Sequence, residues 1–147
     1  MRLTARSEYG LLALIEISSG GDTPRSARAL SERWGIPPKF LEQLLAALKR
    51  AGVVSSVRGA RGGYVLARPA SEISALVVVE ALEGPIMPSV CARDTGMCPQ
   101  SGRCAAGGLW DDVSDAVRSV LASATLEELA SDQRRLDGLE LTTKETR

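Results

Sequence analysis

The chain has 147 residues, with 18 Lys and Arg, 18 Asp and Glu, and no histidine. This length predicts one compact domain with an appended arm, and a hydrophobic share of 44% supports a folded core. The absence of histidine excludes Ser-His-Asp triads, histidine-activated cysteine nucleophiles and histidine-ligated metals. Together with the helix and hairpin patterns of residues 1–70, this absence leads us to expect a protein that is not an enzyme.

The distribution of charge points to a polyanionic partner. Residues 1–70 contain eleven Lys and Arg but only five Asp and Glu, which leaves this half at +6 and the remainder at −6. A basic half beside an acidic half favours nucleic-acid binding, although chance segregation on a solvated surface gives the same count. No apolar run is long enough to span a bilayer, and charged residues interrupt the N-terminus, so we expect a cytoplasmic protein.

Three helices are predicted in the first fifty residues. The first covers residues 4–19 with Thr4 as its N-cap. The second runs from Ala27 to Trp34, between a Ser26 cap and a Gly35 stop. The third runs from Pro38 to about residue 51. Two short helices joined by a glycine-containing turn predict a helix-turn-helix.

The third helix has one apolar stripe and one polar, basic face. Leu41, Leu44 and Leu48 lie on the stripe at helical spacing. The opposite face carries side chains that can contact base edges or phosphates in a major groove. These candidate DNA-binding residues are Lys39, Glu42, Gln43 and Arg50.

A hairpin is predicted directly after the third helix. Two β-rich runs, residues 53–57 and 64–67, flank a Gly/Arg segment that contains Arg58 and Arg61. After a helix-turn-helix this pattern predicts a wing whose arginines follow a phosphate backbone or enter a minor groove. The alternative is an ordinary surface hairpin whose charges keep it soluble.

The second half is predicted to contain two longer helices around a cysteine-bearing loop. Ser71 is expected to cap a helix to Glu83, and the apolar stripe of residues 109–124 predicts a helix for two-fold dimerisation. That stripe packing on its own domain is the alternative. Residues 125–128 form a capping box that opens a short last helix. The tail from Gly138 is expected to be disordered.

These elements predict a mainly α fold with a small β wing. The expected organisation is a winged helix-turn-helix domain over residues 1–83 and a cluster loop over residues 84–108. The dimerisation helix and terminal helix follow over residues 109–137, and the disordered tail covers residues 138–147.

All three cysteines lie in the predicted loop, with six and then five residues between them: Cys91, Cys98 and Cys104. Soft thiolates select iron–sulfur clusters, zinc or Cu(I). Structural zinc sites usually have shorter spacings, which favours an iron–sulfur cluster. A zinc staple, a metal-free thiol switch and, less favoured, an iron–sulfur electron carrier remain alternatives. The fourth ligand stays open, with Glu8, Asp94, Asp111 and Asp112 as acidic candidates.

Several segments resemble the Rrf-two family of bacterial winged-helix dimers. These segments are MRLTARSEYGLLAL, LSERWGIPPKFLEQLL, GVVSSVRGARGGYVLARP, the Cys-x₆-Cys-x₅-Cys loop, LWDDVSD and TLEEL, and they cover about residues 1–133. The resemblance implies a homodimeric transcription factor, commonly a repressor, that binds palindromic promoter DNA. It also implies an iron–sulfur cluster, [4Fe–4S] or [2Fe–2S], that senses redox state, nitric oxide or iron–sulfur status.

The resemblance assigns roles to individual positions. Lys39, Glu42 and Gln43 match the family's recognition helix, and Arg58 matches its wing arginine. The three cysteines match the cluster ligands. The IscR branch has a histidine where this chain has Gly107, and the first cysteine spacing is one residue longer. Glu8 matches the N-terminal acid that, in the nitric-oxide-sensing branch, ligates the partner subunit's cluster.

Overall fold

The computed structural model describes residues 3–86, 98–100 and 102–144. The described part contains six α-helices, one short 3-10 helix over Ala70–Glu72 and a two-stranded antiparallel sheet. The elements are α1 (Ala5–Ser19), α2 (Ala27–Trp34), α3 (Pro38–Arg50), β1 (Val54–Val57), β2 (Gly63–Leu66), α4 (Ala75–Glu83), α5 (Ala105–Ser123) and α6 (Leu126–Lys144). The predicted winged-helix architecture is confirmed.

The first three helices begin and end where local signals predict. The Thr4 hydroxyl accepts a hydrogen bond from the Arg6 amide at 3.2 Å, and the Ser26 hydroxyl accepts one from Ala29 at 3.1 Å. Gly35 adopts φ 65°, a left-handed conformation that glycine takes without a steric cost, and its amide donates to the Ser31 carbonyl. Pro38 occupies the first position of α3, where no amide donor is needed.

One hydrophobic core joins both ends of the chain. Leu14 and Ile17 of α1 pack with Leu44 and Leu48 of α3, and Leu126 at the start of α6 is fully buried in the same cluster. The core therefore continues across the boundary that the sequence suggested between the DNA-binding domain and the C-terminal helices. Removing apolar surface from water in one continuous cluster ties α6 to the fold of α1 to α4.

The sheet forms the wing. Val54 pairs with Leu66 and Val57 pairs with Gly63. On the outer edge of β2, Tyr64 and Arg25 exchange two backbone hydrogen bonds of 3.0 and 2.8 Å. The wing is thus attached on one edge to the segment that leads into α2.

Three predicted helix boundaries were wrong. The helix expected from Ser71 begins only after Ser74, whose hydroxyl accepts from the Val77 amide at 3.4 Å. The helix expected from residue 109 begins four residues earlier, at Ala105, and the final helix is long and continues through Gly138 to Lys144. Glycines in these helices suggested breaks, but each costs only about 1 kcal/mol in a helix, which the surrounding helix tolerates. The expected disorder from residue 138 is therefore wrong for residues 138–144, and residues 145–147 lie outside the described residues.

No helix in the described ranges combines the length and apolar character needed to cross a membrane.

Candidate DNA interface and cysteine segment

The recognition helix α3 separates a buried face from an exposed one. Its leucines are fully buried beneath the helix-turn-helix. The exposed residues on the other face are Lys39, Glu42, Gln43, Ala46, Lys49 and Arg50. The four residues of α3 that the sequence analysis singled out therefore share one solvent-facing surface. That surface has no large apolar group, as a helix lying in a major groove requires.

Glycines shape the tip of the wing that carries Arg58 and Arg61, both of which are exposed. The Gly62 amide donates to the Gly59 carbonyl at 3.0 Å, closing a tight turn. A Cβ at Gly62 would lie 2.2 Å from the Val57 carbonyl oxygen, so only glycine fits this turn. The two arginines are held at the end of a short, sharply turned hairpin.

A side-chain hydrogen bond joins α3 to the wing. The Lys49 ammonium at the C-terminal end of α3 donates to the Ser56 hydroxyl of β1 at 2.6 Å. This bond places β1 beside the last turn of the recognition helix. The exposed face of α3 and the arginine-bearing hairpin therefore lie next to each other.

The cations of this surface differ from several surface arginines elsewhere in the described residues. Arg28, Arg33 and Arg135 each form an ion pair at 2.6–2.8 Å with a nearby acid. Within the described part of the chain no acid forms an ion pair with the following interface cations: Lys39, Arg50, Arg58 and Arg61. Unpaired cations retain their full attraction for a polyanion, because no protein carboxylate competes with it.

Side-chain hydrogen bonds join helix α6 to helix α2 of the helix-turn-helix. Arg33 of α2 donates two hydrogen bonds to the Asp137 carboxylate, at 2.8 and 2.9 Å, and its guanidinium lies 4.6 Å from the centroid of the Trp34 ring. Gln133 also donates to Asp137, at 2.9 Å. The hydrogen bonds from Gln133 and Arg33 lower the pKa of Asp137, since they stabilise its charged form.

The end of α4 is tied to the first turn of α1 through Glu83. One carboxylate oxygen of Glu83 accepts from the Thr4 amide and hydroxyl and from the Ser7 amide and hydroxyl, at 2.5–3.3 Å. Arg6 adds a hydrogen bond of 3.1 Å to the Leu82 carbonyl. Burial raises the pKa of Glu83, but the hydrogen bonds from Thr4 and Ser7 together outweigh it, so the pKa is lowered.

A second carboxylate, Glu80, joins α4, α5 and the start of the cysteine segment. It forms an ion pair with Arg118 of α5 and accepts a hydrogen bond from the Ile86 amide at 3.5 Å. The Ser114 hydroxyl of α5 donates to the Ile86 carbonyl at 3.3 Å. The chain that enters the cysteine segment is therefore held between two helices.

Two of the three cysteines lie in the described residues. Cys104 is exposed at the N-cap of α5 and its side chain makes no capping hydrogen bond, while Cys98 is half-buried. Neither forms a disulfide. Between them, the Arg103 amide donates to the Gln100 carbonyl at 2.9 Å in a turn. Both thiols are free to bind a metal or to react, and Cys91 lies outside the described residues.

The described acidic candidates for a fourth ligand form no metal-binding group with Cys98 and Cys104 within the described residues. Glu8 is exposed in the first turn of α1, and Asp111 and Asp112 are exposed on α5. Among residues 3–86, 98–100 and 102–144, no three potential metal-binding side chains come together. Asp94 lies outside these ranges. A complete site in this segment therefore needs Cys91 and a donor that a single described chain does not bring close.

Helix α5 exposes an apolar edge. None of its residues is buried, and Leu109, Trp110 and Val120 are 59%, 41% and 68% exposed. Val113 and Val117 on the same side are half-buried. These residues fall within an arc of about 100° around the helix, so the part of the stripe not facing α4 is open to solvent.

Three residues that connect elements around the candidate sites were not predicted from the sequence: Lys49, Glu80 and Glu83. Lys49 lies two helical turns after Glu42 on the flank of α3 that faces the wing, and this spacing was readable from the sequence. Glu80 and Glu83 had no comparable signal, because Arg118 lies 38 residues from Glu80 and Thr4 lies 79 residues from Glu83.

Comparison with known families and proteins gives one matching family and a set of similar relatives. A family model described as Rrf2, iron-dependent transcriptional regulator, matches residues 3–132. The HTH-type transcriptional regulator IscR of Photorhabdus laumondii is 38% identical over 138 residues, covering 93% of this chain and 84% of that protein.

Two solved structures share the fold. The global cysteine regulator CymR of B. subtilis superposes with a TM-score of 0.78 at 36% identity, covering 89% of this chain and 97% of that one. An oxidized form of Staphylococcus aureus CymR has a TM-score of 0.71 at 35% identity, covering 88% and 96%.

Proposed function

Because the chain belongs to the Rrf2 family of transcriptional regulators, we propose that it is a homodimeric repressor that binds palindromic promoter DNA. We further propose that an iron–sulfur cluster controls its affinity for DNA. The observation that carries the proposal is the joined surface of α3 and the wing, on which four cations form no ion pair with any acid in the described residues. A DNA-binding regulator of this family needs such a surface, and an enzyme does not.

The exposed residues of α3 divide into base readers and phosphate binders. Glu42 accepts from cytosine N4, and Gln43 pairs with adenine through its amide, because these are the donor and acceptor patterns of the major groove. Lys39 and Arg50 bind phosphates or guanine. Arg58 and Arg61 on the wing bind the flanking phosphates or a narrow minor groove.

A dimer places two such surfaces on one duplex. Two recognition helices enter successive major grooves when their half-sites are about 34 Å apart. The open apolar edge of α5, which includes Leu109 and Val120, is the proposed contact with a second copy of this chain. Covering it removes large aliphatic side chains from water and stabilises the pair.

The dimer is tested with two matched charge insertions in α5. Val120→Glu places a carboxylate on the apolar edge, whereas Ser119→Glu places it on an exposed position about 100° away on the helix. We expect light scattering to give a dimer mass for the wild type and Ser119→Glu, and a monomer mass for Val120→Glu. A Val120→Glu variant that remains dimeric would exclude this edge as the interface.

The cysteine segment is the proposed cluster site. The donor set fits an iron–sulfur cluster, since Cys98 and Cys104 present free thiols and Cys91 supplies a third. Glu8 of a second subunit is the proposed fourth ligand, because it is exposed on a turn of α1 that Glu83 fixes in place. When bound, the cluster supplies a centre that responds to oxidation, nitric oxide or iron supply.

Anaerobic purification with metal analysis tests the cluster. We expect a brown protein with visible absorbance, with iron and sulfide present and zinc absent. Cys104→Ser should abolish the colour, while Asp115→Asn, a change at an exposed acid eleven residues later, should not. A colourless protein with stoichiometric zinc would instead indicate a structural zinc site. DNA binding is then measured by anisotropy with and without reconstituted iron and sulfide, and equal affinities would refute control by the cluster.

A metal-free thiol switch is the second candidate. Cys104 is exposed and Cys98 is a free thiol, and an S. aureus relative with the same fold has been solved in an oxidized form. Such a switch predicts a colourless, metal-free protein whose DNA affinity changes on treatment with peroxide. Mass spectrometry of the peroxide-treated chain would then find a disulfide or sulfenic acid within the cysteine segment.

A further inference from the structure

We propose that Lys49 is a positioning residue that fixes the wing relative to the recognition helix through its hydrogen bond to Ser56. This inference rests on the proposed function as a DNA-binding regulator. It goes further by assigning DNA affinity to a pair of residues that need not touch DNA. The observation is the 2.6 Å bond from the Lys49 ammonium to the Ser56 hydroxyl.

The two residues stand where the two parts of the interface meet. Lys49 follows Glu42 by seven residues, so the two side chains leave α3 within about 20° of each other. Ser56 precedes Arg58 by two residues, a distance of about 7 Å along an extended chain. The bond therefore spans the gap between a candidate base reader and the wing arginine.

The opposite edge of the wing is held by the backbone. Tyr64, the register partner of Ser56, exchanges two hydrogen bonds with Arg25. A Cβ at Gly63 would lie 2.4 Å from the Arg25 carbonyl oxygen, so the two backbones approach closely. With β2 anchored in this way, the Lys49–Ser56 bond restrains β1 and limits rotation of the hairpin about its anchored edge.

Positioning and direct phosphate binding by Lys49 predict different results. A lysine that binds phosphate acts through its charge, and removing Ser56 would leave that charge in place. A lysine that positions the wing needs the Ser56 hydroxyl as its hydrogen-bond acceptor, so replacing either residue should lower DNA affinity to the same extent. Ser56 is uncharged, so its removal cannot release a counterion from DNA.

The test is a double-mutant cycle of DNA affinity. The variants are Lys49→Met, Ser56→Ala and the double variant, and the probe is a duplex selected from a randomised library by the wild-type chain. Each single change should weaken binding about fivefold, and the double variant should be no weaker than the weaker single. Ser56→Thr, which keeps the hydroxyl, should bind like the wild type. Ser55→Ala, on the opposite face of the exposed strand, is the matched control and should also bind like the wild type.

A second readout connects the bond to the wing. In the Ser56→Ala background, Arg58→Ala should cost less affinity than it does in the wild type, because the wing is no longer held on the duplex. The bond is exposed, so denaturant midpoints of the single variants should match the wild type.

Two results would overturn the proposal. If the affinity losses of the two single variants add in the double variant, Lys49 and Ser56 act independently. A lower salt slope for Lys49→Met with full affinity for Ser56→Ala would make Lys49 a phosphate contact. If the wild-type chain selects no duplex at all, the proposed function itself fails, a result distinct from either of these.

Discussion

A double variant in which both Arg58 and Arg61 are replaced by alanine tests how the wing contacts DNA. Both arginines are exposed at the hairpin tip, and neither forms an ion pair within the described residues. Their removal therefore disturbs no charge network inside the protein. Any change in binding reports on the contact of these two side chains with the duplex.

The size of the effect follows from counterion release. Each phosphate contact contributes about 0.9 to the slope of log affinity against log salt. In the proposed dimer, two arginines in each subunit contribute about 3.6 to this slope, which between 50 and 200 mM salt corresponds to about 150-fold in affinity. Over that range the affinity of the double variant should thus fall about 150-fold less than that of the wild type. If only one arginine of each subunit binds phosphate, the slope changes by about half as much.

The assay is fluorescence anisotropy of a selected duplex at four or more salt concentrations. Arg134 on α6 is exposed and, like the wing arginines, forms no ion pair within the described residues, so Arg134→Ala removes an unpaired charge from a surface not assigned to DNA. That control should keep the wild-type slope. An unchanged slope for the wing variant would refute the phosphate contacts, and an equal change in the control would assign the effect to net charge alone.

Three stability predictions follow from the packing and the hydrogen bonds. Leu126→Ala should lower the free energy of unfolding by about 2–5 kcal/mol, because Leu126 is fully buried. The control Leu136→Ala, at a position that is 57% exposed, should change it by less than about 0.5 kcal/mol. Equal losses for the two variants in urea titrations would contradict the shared core. Gly10→Ala should destabilise the chain by about 1 kcal/mol, since the added Cβ would lie 2.2 Å from Leu82 Cδ1 and overpacking outweighs the gain in helix propensity; a raised urea midpoint would contradict this. Because folding lowers the pKa of Glu83 from its ordinary value of 4.5, the ionised carboxylate stabilises the fold at pH values above 4.5. This contribution is lost as the pH falls through the lowered pKa of the folded chain. Glu83→Gln should therefore lose less stability than the wild type between pH 6 and pH 3 in urea titrations, and parallel pH profiles would argue against this network.

Local signals in the sequence were sufficient for the front half of the fold. The caps at Thr4 and Ser26, the left-handed Gly35 and the proline opening α3 act on adjacent residues, so their meaning does not depend on the rest of the chain. The wing and the exposed face of α3 followed from the same local periodicity. The candidate DNA-binding residues could thus be named before their surroundings were known.

The back half depends on contacts between distant residues. Helix α6 packs on α1 and buries Leu126 and Ala130 in its first turns, a long-range contact that no local pattern reveals. The partners of Glu83 lie 76 and 79 residues away in the chain. The stripe on α5 was visible in the sequence, but its division into a half-buried side and an exposed edge required the position of α4.

The junction between α5 and α6 is bonded to the beginning of α4. The Ala75 amide donates to the Ala124 carbonyl at 2.8 Å, and the Leu126 amide donates to the Ile73 carbonyl at 2.9 Å. These two hydrogen bonds fix one end of α5. Cys104 lies at the other end, about 28 Å away for a helix of 19 residues. A tilt of α5 by about 5° about this junction moves the Cys104 end by roughly 2.5 Å, so a small displacement of the Cys104 thiol corresponds to a small change in the angle of the whole helix.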